Sequence, residues 1–191
     1  MDVTVVSSFE EAIQAAGTLW KFAYIGNSSK AADALGLPQS AVEPAALLHA
    51  LDWFRAYKTE YEVSCIRMAM GRTAEGYRVA KKMVSEGRSA REIHAAYLAA
   101  TGQLDRDTPY GNIIGWDTDA ATLHYTAKKT TAPNPGHTFL IDAGAATFGY
   151  ASDITRTYLR ANPNPAFAHL LDKMDALELD CLSMCTVGAD Y

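Results

Sequence analysis

The stretch Phe139-Leu-Ile-Asp142-Ala-Gly144-Ala-Ala-Thr-Phe148-Gly149-Tyr150-Ala-Ser-Asp153-Ile-Thr155-Arg156-Thr157 decides how the whole chain is read. Residues 138–143 (TFLIDA) and 150–159 (YASDITRTYL) each have the composition of a β-strand, and the residues between them suit a turn. A hairpin turning between Thr147 and Phe148 would set Asp142 directly opposite Asp153. Opposed side chains on one ladder have Cβ atoms about 4.5–5.5 Å apart. Two bare carboxylates at that distance repel, and one would have to take up a proton. A divalent cation removes the conflict, and two cations sharing a carboxylate make a hydrolytic centre. The rival reading is a pair of ordinary hairpin aspartates. Asp is disfavoured inside strands, and burying both without a partner is costly. Spacing alone leaves the two readings open.

Working outward, the chain changes character on the N-terminal side of this hairpin. Residues 102–137 read as turns and short strands, with strands expected at Asn112–Trp116 and Ala121–Tyr125 and a polar loop over Lys128–Gly136. Before them come helices. Thr59-x-x-Glu62 and Ser89-x-x-Glu92 are capping boxes that open two of these, stopped by Gly87 and Gly102. The first should bury a stripe of Val63, Ile66, Met70, Tyr77 and Val84, with Cys65 as a small buried hydrophobe. Pro44 opens an earlier amphipathic helix, and residues 166–186 form the last one. Helices followed by an antiparallel sheet make an α+β class. The first 43 residues differ: strand 2–6, helix 8–17 with Ser8 as its cap, strand 22–25 and a short helix over 28–36 suggest a piece of an α/β domain. A piece that short buries little core alone.

Composition narrows the classes of function. Of 191 residues, 49% are apolar and 20% charged, which suits a soluble globular protein. A net charge of −5 offers no basic surface for nucleic acid or anionic membranes. No apolar run approaches the roughly 20 residues that span a bilayer. Acidic Asp2, Glu10 and Glu11 argue against a secretory leader. Cys65, Cys181 and Cys185 have no paired spacing for disulfides or zinc, so reduced thiols and a cytoplasmic location are expected.

The hairpin sequence FLIDAGAATFGYASDITRT resembles the metal-binding hairpin of the pita-bread metallopeptidases, the group of methionine aminopeptidase, aminopeptidase P, prolidase and creatinase. YKTEYEVSCIRMAM, AAYLAATG and ATLHYT resemble the prolidase branch, over roughly residues 44–191. The resemblance implies an incomplete pita-bread catalytic domain over 44–191, preceded over 1–43 by the end of a smaller N-terminal domain. It implies that Asp142 and Asp153 are the first two ligands of a two-metal centre holding Mn, or else Co or Zn. It also implies that His124 in LHYT contacts the substrate and steadies an oxyanion, a role imidazole suits. Without the resemblance, His124 reads as a core histidine. Thr155 shares a face with Asp153 by alternation and is a candidate to hydrogen-bond a ligand, whereas Arg156 points the other way. Tyr110 and Asn112 are candidate cleft residues, Tyr110 for substrate. His49, His94, His137 and His169 have no ligand spacing. The family's remaining ligands, one His and two Glu, do not follow before Tyr191. The expectation is therefore part of a longer Xaa-Pro-cleaving enzyme, with weak or no metal binding and little activity by itself, and prone to pair with a second copy. An aminopeptidase P- or creatinase-like relative, or a non-catalytic module of the same fold, are the alternatives.

Overall fold

The computed structural model describes residues 5–16, 23–26, 29–34, 36–160 and 162–189. The chain divides into two compact units, Met1–Lys58 and Thr59–Tyr191.

In the first unit, α1 (Phe9–Ala16) and α2 (Ser29–Ala34) form where helices are expected. The Ser8 hydroxyl accepts from the Glu11 amide at 3.2 Å, while the Glu11 carboxylate reaches back to the Ser7 amide at 2.8 Å. Residues 2–4 of the expected first strand lie outside the described residues, and Val5 and Val6 are not in a strand. Of the second, Phe22 lies outside them, and Tyr24 makes one parallel bridge to Val42. Helix α3 (Ala45–Ala56) buries none of its residues.

The second unit holds the hairpin. Helices α4 (Glu60–Ser85) and α5 (Ala90–Thr101) both open on complete capping boxes, at Thr59/Glu62 and Ser89/Glu92. Each box satisfies backbone donors that a helix start leaves open. Gly102 ends α5 in the left-handed conformation, at φ 62°. The buried face of α4 keeps Tyr77 and Val84 of the stripe read from sequence, and Cys65, while Val63 and Ile66 are half-buried. It runs through Cys65, Ala69, Thr73, Gly76, Tyr77, Ala80 and Val84, while Met70 faces solvent. Small residues on that face let α5 approach closely.

Strands β1 (Ile113–Trp116), β2 (Thr138–Ala143) and β5 (Ile154–Leu159) form an antiparallel sheet in the order β1-β2-β5. Between β2 and β5 lie the short partners β3 (Ala146–Thr147) and β4 (Tyr150–Ala151). Ile114, Trp116, Phe139, Ile141 and Ala143 pack against Tyr77, Ala80, Val84, Ile93 and Tyr97 of the two helices. Alternation then leaves Leu140 and Asp142 on the opposite face of β2, away from the helices. The expected strand 121–125 does not form. Residues 117–124 are turns, with positive φ at Asp117 and His124. A left-handed residue at each end of that stretch interrupts the extended backbone a ladder needs. Helix α6 (Pro165–Met184) closes the described chain and buries none of its residues.

Candidate metal centre

The hairpin turns one residue later than its sequence suggests. Thr147 pairs with Tyr150, and the two residues between them, Phe148 and Gly149, have φ of 51° and 83°. Two central residues with positive φ suit the right-handed twist of flanking strands, and glycine takes that conformation without strain. Moving the turn centre by one residue moves every partner by two. Asp142 therefore faces Thr155, not Asp153 as expected. The same register continued sets Gly144 across from Asp153. A shift of two preserves the face, so both aspartates stay on the side away from the helices.

A third residue brings the two carboxylates together. The Tyr110 hydroxyl lies 2.8 Å from Asp142 Oδ1 and 2.8 Å from Asp153 Oδ1. The near oxygens of the two aspartates are thus at most twice that distance apart. Asp142 is half-buried and Asp153 exposed. Burial and the two neighbouring carboxylates hold the Tyr110 phenol well above its usual range, so it stays protonated.

Several anchors hold this geometry. A side chain at Gly144 would overlap the carbonyl oxygen of Ser152 and stand 2.9 Å from Cγ of Pro109, the residue before Tyr110. Only glycine lets the strands and the Tyr110 segment meet there. The Ser152 hydroxyl is buried, accepts from the Ala145 amide at 3.0 Å and bonds Thr73 of α4 at 2.6 Å. Gln103 accepts from the Ala146 amide at 2.8 Å, and Arg72 donates to the carbonyls of Thr101, Gly102 and Ala146. Tyr150 donates to Glu62 at 2.7 Å. None of these anchors was legible as such: Thr73, Arg72, Gln103 and Ser152 follow no apolar period.

The remaining expectations divide. Thr155 is opposite Asp142 on the same face, but no hydrogen bond joins it to either aspartate among the described residues. Arg156 pairs with Ile141 across the ladder, on the other parity, as expected. His124 stands exposed on a turn with φ 52°, and among the described residues no hydrogen bond ties it to the aspartates. Asn112 does not line a cleft. It is fully buried, and among the described residues neither polar atom of its side chain has a hydrogen-bond partner. His94 is buried and bonded to Asp105 at 3.0 Å. Cys65 is buried, and Cys181 and Cys185 are exposed free thiols.

The donor set bears on metal binding directly. A phenol carries one hydroxyl hydrogen, and here it has two acceptors. With both carboxylates ionised, the single hydroxyl hydrogen is shared between two acceptors, each 2.8 Å away. A cation held between the carboxylates would offset their mutual repulsion. Oxygen donors of this kind suit hard divalent ions. Two carboxylates are only part of a cation's coordination shell. Among the described residues no group of three or more His, Cys, Asp or Glu is placed to hold a metal.

A helix-backed antiparallel sheet carries both aspartates on its free face. The model of metallopeptidase family M24 matches residues 64–191, and the chain belongs to that family. It is 43% identical to the Xaa-Pro dipeptidase of Photorhabdus laumondii over 169 residues, which cover 88% of this chain and 38% of that protein. It is 43% identical to the Xaa-Pro dipeptidase of Shewanella loihica over 175 residues, covering 92% of this chain and 39% of that protein. Among solved structures, a histidine-to-alanine variant of Escherichia coli aminopeptidase P superposes with a TM-score of 0.53 at 27% identity. The match covers 59% of this chain and 26% of that one. Zinc-substituted aminopeptidase P from E. coli in complex with product gives a TM-score of 0.50 at 28% identity, covering 56% and 24%. The fold is thus part of the pita-bread fold, and the chain spans under two-fifths of the length of these dipeptidases.

Proposed function

We propose that this chain is the front part of the catalytic domain of an Xaa-Pro dipeptidase, preceded over residues 1–43 by the end of a smaller N-terminal domain. Asp142 and Asp153 would be the first two ligands of a centre holding two divalent ions, Mn in first place, Co or Zn otherwise. The observation that supports this most is a single hydroxyl, Tyr110, within hydrogen-bond reach of both carboxylates. Bound ions would supply Lewis acidity and a water that ionises near neutral pH. The chain's own residues would do the rest. The paired aspartates hold negative charge on one face of a rigid sheet. His124, an exposed imidazole, donates a hydrogen bond to the substrate carbonyl oxygen as charge develops there. The substrate class, dipeptides ending in proline, rests on the dipeptidase relatives. A cytoplasmic location fits three cysteines without a disulfide.

Two carboxylates alone bind hard cations weakly. The chain by itself should therefore hydrolyse Gly-Pro poorly or not at all in Mn²⁺. A protein of the relatives' length that includes this chain should hydrolyse it. Robust turnover by the chain alone would refute the inactivity. No turnover by the longer protein would refute the dipeptidase reading. The aminopeptidase P neighbours favour one alternative substrate, longer peptides with proline second. Preference for those over dipeptides would select it.

A further inference from the structure

We propose that Tyr110 is a positioning residue for the metal pair, a role distinct from substrate contact. In the observed register the two aspartates are diagonal neighbours, whose backbones stand about 7–8 Å apart. Nothing in the hairpin itself draws their side chains together, and ionised carboxylates repel. The hydroxyl that joins them comes from a separate segment, 32 and 43 residues away in sequence.

That segment is itself fixed. Thr108 Oγ1 donates to the Asp105 carbonyl at 2.8 Å, and the Leu104 amide donates to Asp107 at 3.2 Å. Gln103, just before them, reaches the hairpin at Gly144 and Ala146. Pro109 sets the backbone angle ahead of Tyr110, and its ring abuts Gly144. Tyr110 is thus placed by the fold and in turn places Asp142 and Asp153.

The hydroxyl engages the Oδ1 atom of each aspartate. Among the described residues no hydrogen bond engages either Oδ2. Each carboxylate therefore has one oxygen held and one oxygen open to a cation. A hydroxyl that orients ligating carboxylates removes reorganisation from metal binding, and such partners typically govern metal affinity by about 10–100-fold.

This inference rests on the metal-pair reading, so its test separates the two. A protein of the relatives' length that includes this chain, and its Tyr110→Phe, Asp142→Asn and Asp153→Asn variants, are titrated with Mn²⁺, and free Mn²⁺ is read by electron paramagnetic resonance. The titrations run at a temperature where circular dichroism shows every variant fully folded. The expected result is a loss of affinity in Tyr110→Phe of about tenfold or more, with a metal-free spectrum matching the parent's. Asp142→Asn and Asp153→Asn should weaken binding further. If Tyr110→Phe binds within about twofold of the parent while the aspartate variants lose binding, Tyr110 has no positioning role and the metal pair stands. If the parent takes up no Mn²⁺ at millimolar concentration, or the aspartate variants bind as it does, the metal pair fails and this inference with it.

Discussion

Gly144 is the residue on which the site turns. It sits where the strand opposite and the Tyr110 segment both crowd the backbone, with Pro109 Cγ 2.9 Å from the place a Cβ would take. The obstruction on the other side is the backbone carbonyl of Ser152, which cannot rotate away as a long side chain could. Gly144→Ala should destabilise the chain by about 1–3 kcal/mol or more, the cost of overpacking a tight site. Urea unfolding followed by circular dichroism measures this, and an unchanged midpoint would contradict the packing described. At this scale the sequence spoke selectively. Asp142 and Asp153 stood out because Asp is disfavoured in strands, yet one follows Phe-Leu-Ile and the other precedes Ile-Thr, and both lie in the site's hydrogen-bond cluster. Tyr110 was visible only as a possible cleft residue, because nothing in Thr-Pro-Tyr-Gly says that its hydroxyl will span two strands. Asn112 read the same way and is buried instead.

Elements were legible where their signals are local. Capping boxes at Thr59 and Ser89 mark helix starts because the side chains that satisfy the first turn are three residues apart. Register was less legible, since it depends on which two residues take positive φ at the turn, and Phe148 gives no sign that it will. The 121–125 segment failed for a related reason: its apolar residues suit a strand, but a strand needs a partner, and none of the described strands pairs with it. Its preceding turn is built on Asp117. There Oδ1 accepts from the amides of His137 and Thr138 at 2.8 and 2.9 Å, tying the end of β1 to the start of β2. Partial burial works against the charge, but these bonds outweigh it and hold the Asp117 carboxyl below its usual range. A carboxyl with a lowered folded-state value stabilises the fold above its ordinary pKa, about pH 4, and loses that contribution as pH falls through the folded value. Asp117→Asn should be less stable at neutral pH and lose less stability on acidification below about pH 4. Urea midpoints at several pH values test this, and parallel curves for parent and variant would contradict it.

On the scale of the whole molecule, one side of the sheet is a finished core and the other is open. Tyr97, Phe139, Ile93, Ile114 and Ile141 are fully buried between helices and sheet. On α6, by contrast, Leu170, Met174, Leu177, Leu182 and Met184 are exposed. Strands β1 and β5 are both sheet edges. Apolar helices and open edges favour association, and the second copy expected from sequence would find both here. Sedimentation velocity should show mass rising with concentration, and a single monomeric species up to about 100 µM would contradict that expectation. The α+β class was legible from the order of helices and strands. The extent of the open surface was not, because amphipathic periodicity says which face a helix can bury and not what covers it.

The central claim is that Asp142 and Asp153, diagonal across one hairpin and joined by Tyr110, form the start of a metal centre. Paramagnetic broadening by Mn²⁺ in the amide spectrum of the ¹⁵N-labelled chain tests it most directly. The amides of Tyr110, Asp142 to Gly144 and Ser152 to Thr155 should broaden first, at the lowest Mn²⁺ additions. Broadening that begins at other acidic positions, or spreads evenly over the surface, would contradict it.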